Sequence, residues 1–116
     1  MVAKTSEGDR TMMNESTMTV PQYETLRRLY DERENLIAEI EKLQEQADAA
    51  QGGIRLYRNH RVDQFRERER EFATRLSRIE TGQIENSFEN EAETLFDDLR
   101  ETKDLATRTF HQIMQA

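Results

Sequence analysis

Apolar residues recur at alternating steps of three and four along most of the chain. The first seam follows Pro21, and Arg33 holds its one polar position. Its apolar members are Leu26, Leu29, Leu36, Ile40, Leu43, Ala47 and Ala50. This is the heptad spacing of a helix that packs along another helix. Proline is favoured in the first turn of a helix and glycine just beyond its end, so Pro21 and the pair Gly52-Gly53 predict a first helix over about 22–50.

Two further seams follow, and each predicts a helix. The second has Glu69 as its polar exception and the apolar members Val62, Phe65, Phe72, Leu76 and Ile79. It predicts a helix over about 54–80, ended by Thr81-Gly82. The third consists of Ala92, Leu95, Leu99, Thr102, Ala106, Thr109 and Ile113, and predicts a helix over about 83–115. An internal glycine costs a helix only about 1 kcal/mol relative to alanine, so one continuous rod over both segments stays open as an alternative.

A separate row flanks the third seam. Phe96, Lys103 and Phe110 recur every seven residues beside it. A row of this kind widens the apolar stripe beyond a narrow two-helix contact. The third helix is therefore expected to touch more than one neighbour.

These patterns favour an all-α fold. No segment alternates as a strand would, and the chain has 34% hydrophobic against 35% charged residues, enough to bury seams but not a thick core. We expect an elongated antiparallel helical hairpin or a three-helix bundle with coiled-coil-type heptad seams, as a single domain over 21–116. Residues 1–20 are polar and without periodicity, and we expect them to form a disordered arm.

The stretch FREREREF, residues 65–72, alternates charge with a period of two. Its helical i,i+4 pairs are like-charged and its i,i+3 pairs are opposite, so their effects on helix stability nearly cancel. The segments 21–50, 54–80 and 83–116 carry net charges of −4, +3 and −5. The second helix is therefore predicted to pair electrostatically with both others through Arg66, Arg68 and Arg70. A merely solvated charged face is the alternative.

Signs of chemistry are sparse. The chain has no cysteine, and neither of its two histidines has a ligand partner at metal-site spacing. No phosphate-binding glycine loop or nucleophile motif occurs, so we expect no enzyme, no cofactor and no metal. A net charge of −7 disfavours nucleic acid as a partner. No apolar run suits a signal peptide or a membrane span, so we expect no membrane insertion and a cytoplasmic protein, with export alongside a partner left open.

A long thin body of this kind leaves part of its seams near the surface, and burial is completed by dimerisation or by a partner helix. We therefore expect a non-enzymatic adaptor or chaperone that binds a helical segment of another protein, in a homo- or hetero-oligomer. A self-assembling structural coiled coil, as in a phage or scaffold, is the alternative, and a nucleic-acid-associated regulator is a minor one. The expected partner-binding or seam residues are Leu26, Leu29, Leu36, Ile40, Leu43, Phe65, Phe72, Leu76, Ile79, Phe88, Leu95, Phe96, Leu99 and Phe110.

The layout resembles a family of small helical-hairpin (WXG-like) proteins associated with LXG toxins of type VII secretion. The resemblance rests on RLYDERENLIAEIEKLQEQ in a charged first helix and on FENEAETLFDDLRETKDLATRTFHQI in a long acidic last helix. It covers about 22–116 and implies a targeting factor or chaperone for the toxin's N-terminal helical domain. The chain departs from the family in having no tryptophan, so only Thr81-Gly82 stands where the WXG turn would be.

The predicted charge pairing can be tested by reversal. Changing Arg66, Arg68 and Arg70 together to Glu gives a −3 helix between two acidic ones. We expect folding or association to weaken by about 1–3 kcal/mol at low salt and to recover partly at high salt, because ions screen the new repulsion. By contrast, Phe65→Ala or Phe72→Ala should cost about 3–5 kcal/mol with little salt dependence. Thermal melts at two ionic strengths measure both. Unchanged stability and self-association with lost binding to a partner would contradict the intramolecular account.

Overall fold

The computed structural model describes residues 18–115 and shows three long helices. These are α1 (Val20–Asp48), α2 (Gly52–Thr81) and α3 (Phe88–Gln115). The described residues contain no strand, so the predicted all-α class is confirmed. Both bounds of each of the first two helices lie within two residues of the predicted ones. The third begins five residues later than predicted, and the rod that would join it to α2 is excluded.

The start of α1 is held by a reciprocal cap. The Thr19 hydroxyl accepts a hydrogen bond from the backbone N–H of Gln22 at 3.2 Å, and the Gln22 side chain accepts one from the Thr19 N–H at 3.0 Å. Pro21 lies in the first turn, where its missing N–H leaves no bond unmade. The disordered arm predicted over 1–20 lies mostly outside the described residues; at its end, Met18 packs against the core and Val20 already belongs to α1.

The break between α2 and α3 has two causes. Gly82 adopts a left-handed conformation with φ of 78°, which favours glycine and stops α2. The Ser87 hydroxyl then accepts from the backbone N–H of Asn90 at 3.1 Å, so α3 starts after Ser87. The prediction that helix resumes at Gln83 was wrong because this serine cap was not recognised.

Hydrogen bonds show that α1 and α2 run antiparallel. Near the start of α1, the Tyr30 hydroxyl donates to the Glu80 carboxylate at the end of α2, at 2.6 Å. Near the end of α1, the Gln44 amide donates to Asn59 at 3.3 Å, close to the start of α2. The hydrogen bond to Glu80, followed by burial, raises the pKa of Tyr30 above its usual value of 10.0. The bond therefore contributes to stability below pH 10 and is lost as the pH rises through the raised pKa.

The contacts of α3 show that it runs parallel to α1. The Gln22 amide donates to Glu89 at 3.4 Å, near the starts of both helices. Farther along, the Thr107 hydroxyl donates to Glu39 at 3.1 Å. The chain is thus an up-down-up bundle of three helices, each roughly 42–45 Å long at 1.5 Å per residue.

The heptad seams form the core. A single cluster contains every buried apolar side chain of the described chain: Leu26, Leu29, Leu36, Ile40, Leu43, Ala47, Val62, Phe65, Phe72, Leu76, Ile79, Ala92, Leu95, Leu99 and Ala106. Ala50 and Ile113, at the far ends of their seams, are only half-buried. All three helices therefore point the predicted residues at one shared axis.

A polar layer crosses the middle of this core. Arg33 and Glu69, the polar exceptions of the first two seams, meet there, and the arginine Nε donates to the Glu69 Oε2 at 2.5 Å. Thr102 of α3 is 2% exposed and lies at the same level, since its neighbour Lys103 approaches Glu32, the neighbour of Arg33, at 3.5 Å. The ion pair therefore fixes the axial alignment of α1 with α2, while the Thr102 hydroxyl lies beside it without a hydrogen-bond partner in the described chain.

Three arginines cover the aromatic part of the core. Arg61 lies over the ring of Phe65 at 5.6 Å from its centroid, while Arg68 and Arg75 lie over Phe72 at 5.9 and 5.8 Å. These arginines recur every seven residues and therefore follow the same flank of α2. Guanidinium groups at this range attract the ring faces and shield them from water.

The polar layer gives a prediction. Glu69→Leu should destabilise the fold by about 1–3 kcal/mol, because Arg33 loses the acceptor of its part-buried charge. The double change Arg33→Leu and Glu69→Leu should restore stability to the level of the unchanged protein or above it. Urea denaturation measures the free energy of unfolding. Analytical ultracentrifugation should show that the double variant, but not the unchanged protein, populates further oligomers, because its helices can slide.

Lys42, the exposed member of its pair with the half-buried Glu39, provides the matched control, since Lys42→Leu should change stability by less than about 0.5 kcal/mol. A Glu69→Leu variant as stable as the unchanged protein would show that the ion pair does not hold the alignment.

Candidate functional site

Most of the residues predicted to bind a partner are buried between the three helices. Eleven of the fourteen are buried in the core: Leu26, Leu29, Leu36, Ile40, Leu43, Phe65, Phe72, Leu76, Ile79, Leu95 and Leu99. In this fold they contact each other and offer no surface. Phe88, Phe96 and Phe110 differ, because all three are only half-buried and all lie on α3.

Two of these phenylalanines line a groove between α1 and α3. Its volume is about 470 Å³, and it lies beside the amino-terminal halves of the two helices. Leu29, Phe88 and Phe96 form much of its apolar wall, and Arg28 and Glu93 belong to its polar lining. No residue of α2 contributes to it. The site is a partly apolar cleft with charged groups of both signs.

The predicted flanking row starts in the wall of the groove at Phe96 and runs on along α3 beyond its lining. Phe96 and Phe110 are separated by fourteen residues, or roughly 21 Å of helix. Between them Lys103 forms an ion pair with Glu32 of α1 at 3.5 Å, and both side chains are about one quarter exposed or less. The row therefore presents two half-exposed aromatic rings on either side of a neutralised pair.

The facing row of α1 was not identified from the sequence. Thr25, Glu32, Glu39 and Gln46 recur every seven residues and are all half-buried. Glu39 accepts a hydrogen bond from Thr107 at 3.1 Å and pairs with Lys42 at 3.0 Å. The seven-residue spacing was a usable signal. Because the row is polar, however, the sequence alone does not show that it faces another helix.

The arginines predicted to pair with neighbouring helices do not do so directly. Within the described chain, no carboxylate lies within the 4.0 Å ion-pair distance of Arg66, Arg68 or Arg70. The pairs that α2 forms use Glu69 and Arg75 instead, the latter with Asp98 of α3 at 2.8 Å. We therefore correct the predicted direct pairing. Arg68 and Arg70 are exposed. Whether an arginine pairs with a carboxylate on an adjacent helix depends on the side of its own helix from which it projects, and not only on its charge.

The described residues offer neither a metal site nor a membrane span. No group of three or more His, Cys, Asp or Glu side chains there is placed to hold a metal ion. None of the three helices combines the length and the apolar character needed to cross a bilayer. The groove between α1 and α3 is therefore the candidate site.

No known protein family matches the chain, and no curated protein or solved structure shows significant similarity to it. The resemblance to WXG-like proteins accordingly stays a prediction.

The groove predicts that Phe96 contributes little to folding. Phe96→Ala should lower the free energy of unfolding by about 1–2 kcal/mol, because part of the ring already contacts water in the folded protein. Leu95→Ala, next to it but fully buried, should cost about 2–5 kcal/mol. Urea denaturation of both variants compares the two costs directly. Equal losses would place Phe96 in the core and remove it from the groove.

Proposed function

We propose that this protein is a non-enzymatic adaptor that binds a helix of another protein in the groove between α1 and α3. The observation that carries the proposal is the pair of half-buried rings, Phe88 and Phe96, that line the open cleft, with the half-buried Phe110 farther along the same helix. Aromatic side chains left half-exposed beside a cleft are typical anchors of protein interfaces.

A fourth helix is the occupant that suits this cleft. The two rows that border it follow the seven-residue repeat of packed helices, and a helix laid between them completes a four-helix bundle. Apolar residues two heptads apart on that helix would meet Phe96 and Phe110. The helix position between them faces the pair of Lys103 and Glu32, where a small or polar residue fits.

The resemblance to WXG-like proteins extends this proposal to a biological role. It supports a targeting chaperone that holds the N-terminal helical domain of an LXG-type toxin and delivers it to a type VII secretion system. The groove offers such a domain a helix-sized surface without opening the core. The same surface also accommodates a second copy of the chain, as in a self-assembling coiled coil, so the mass of the complex decides between the two roles.

Co-expression with the product of the neighbouring gene tests the proposal. Light scattering after size exclusion should show a complex larger than the protein alone. Phe96→Asp with Phe110→Asp should weaken binding at least tenfold, because each buried anchor contributes at least about 1–2 kcal/mol. Leu105→Asp is the matched control: Leu105 is 37% exposed, lies outside the groove lining and should leave binding within twofold.

Two outcomes would contradict the adaptor role. A stable closed oligomer of the protein alone, dissociated by the same double change, would assign the groove to self-assembly. Equal binding by the double variant and the control would place the partner on another surface.

A further inference from the structure

The end of the bundle where α1 turns into α2 carries unusually exposed apolar side chains. Ile54, Leu56 and Tyr57 are 60%, 73% and 62% exposed, although they fall within four consecutive positions. Met114, in the last turn of α3, is 57% exposed. Because α2 and α3 run antiparallel, with Arg61 bonded to Thr109, this turn lies at the same end. We call residues 49–57 together with Met114 the turn end.

The exposed apolar side chains of α2 form one broad face. At 100° per residue, Leu56, Tyr57 and Ile54 follow one another across an arc of about 160°, and Arg55 and Arg58 lie on the remaining side. An apolar face bordered by arginines suits the boundary between water and lipid acyl chains.

The charge at this end is opposite to that of the whole chain. No acidic residue occurs between Ala49 and Val62, and the connection Ala49-Ala50-Gln51-Gly52-Gly53 is uncharged. Arg58 and Arg61 donate to neutral acceptors, the Gln46 carbonyl and the Thr109 hydroxyl, so no carboxylate neutralises them there. Over 45–62 and 108–115, four arginines and two acids give a net charge of +2, against −7 for the chain.

We propose that the turn end docks on an anionic phospholipid surface, with Ile54, Leu56 and Tyr57 among the acyl chains and Arg55 and Arg58 at the phosphates. Apolar side chains beside arginines, with a tyrosine at the boundary, are the features of interfacial membrane binding. The acidic parts of α1 and α3 do not prevent approach, because most lie farther from the end than the screening length of about 10 Å at 0.1 M salt. The bundle stands on the surface by one end and does not cross it.

Vesicle flotation with the full chain tests this docking. The probes are vesicles of phosphatidylcholine with about one third phosphatidylserine, and vesicles of phosphatidylcholine alone. We expect at least tenfold stronger partition onto the anionic vesicles and a steep loss in 0.5 M salt, as charge attraction requires. The triple variant Ile54→Ser, Leu56→Ser and Tyr57→Ser should lose at least tenfold. Its thermal melt should match that of the unchanged protein, because these side chains are exposed.

A matched variant removes exposed apolar side chains elsewhere. Val20→Ser with Leu105→Ser should leave partition within twofold. Equal partition onto both kinds of vesicle, equal loss in the two variants, or no vesicle binding by the unchanged protein would each overturn the proposal. A mass that halves in the triple variant would instead assign the turn end to a second copy. Binding of an acidic amphipathic peptide without vesicle binding would assign it to a protein partner.

Discussion

The ion pair between Arg33 and Glu69 sets how α1 and α2 align, and α3 packs against the pair of helices so aligned. A heptad seam by itself permits sliding by seven residues, because apolar positions still meet apolar positions after the shift. Such a shift would set Arg33 against Val62 or Leu76, both of which are buried. A part-buried arginine set against apolar side chains loses its carboxylate acceptor, whereas the aligned bundle provides that acceptor at 2.5 Å. One pair of side chains therefore excludes the sliding that the rest of the pattern allows.

The same layer explains why α3 retains an open flank. Its member of the layer is Thr102, which is small and uncharged, so α3 adds no ion to the central pair. Its charged contact with α1 lies to one side, where Lys103 reaches Glu32, and the aromatic rings before and after that contact stay half-buried. A chain in which only about one third of the residues are apolar covers a shared axis but not every flank. The groove between α1 and α3 is what remains uncovered.

The sequence was sufficient to predict which residues face the core, because helical burial repeats with a fixed period. It was also sufficient for the start of α1, where Pro21 follows a capping threonine, and for the stop at Gly82. The start of α3 was missed because its signal is a single serine, Ser87, whose hydroxyl had to be recognised as a cap. The groove could not be predicted, since it depends on the rotation and neighbours of each helix. The seven-residue row sets Phe96 apart from the seam residue Leu95, but it does not show whether a neighbouring helix covers the ring.

The alternating charges of FREREREF illustrate this dependence on rotation. A period of two on a helix of 3.6 residues per turn sends successive arginines to different flanks. Arg66 lies seven residues from Asn59, which contacts α1, whereas Arg68 lies between Arg61 and Arg75, which contact α3. The glutamates point outward, except Glu69, which turns inward to the polar layer. Helix α2 therefore contacts both neighbouring helices through its aromatic rings, its arginines and the carboxylate of Glu69. The groove between α1 and α3 lies where α2 takes no part, so its lining can change without loss of the contacts that α2 makes.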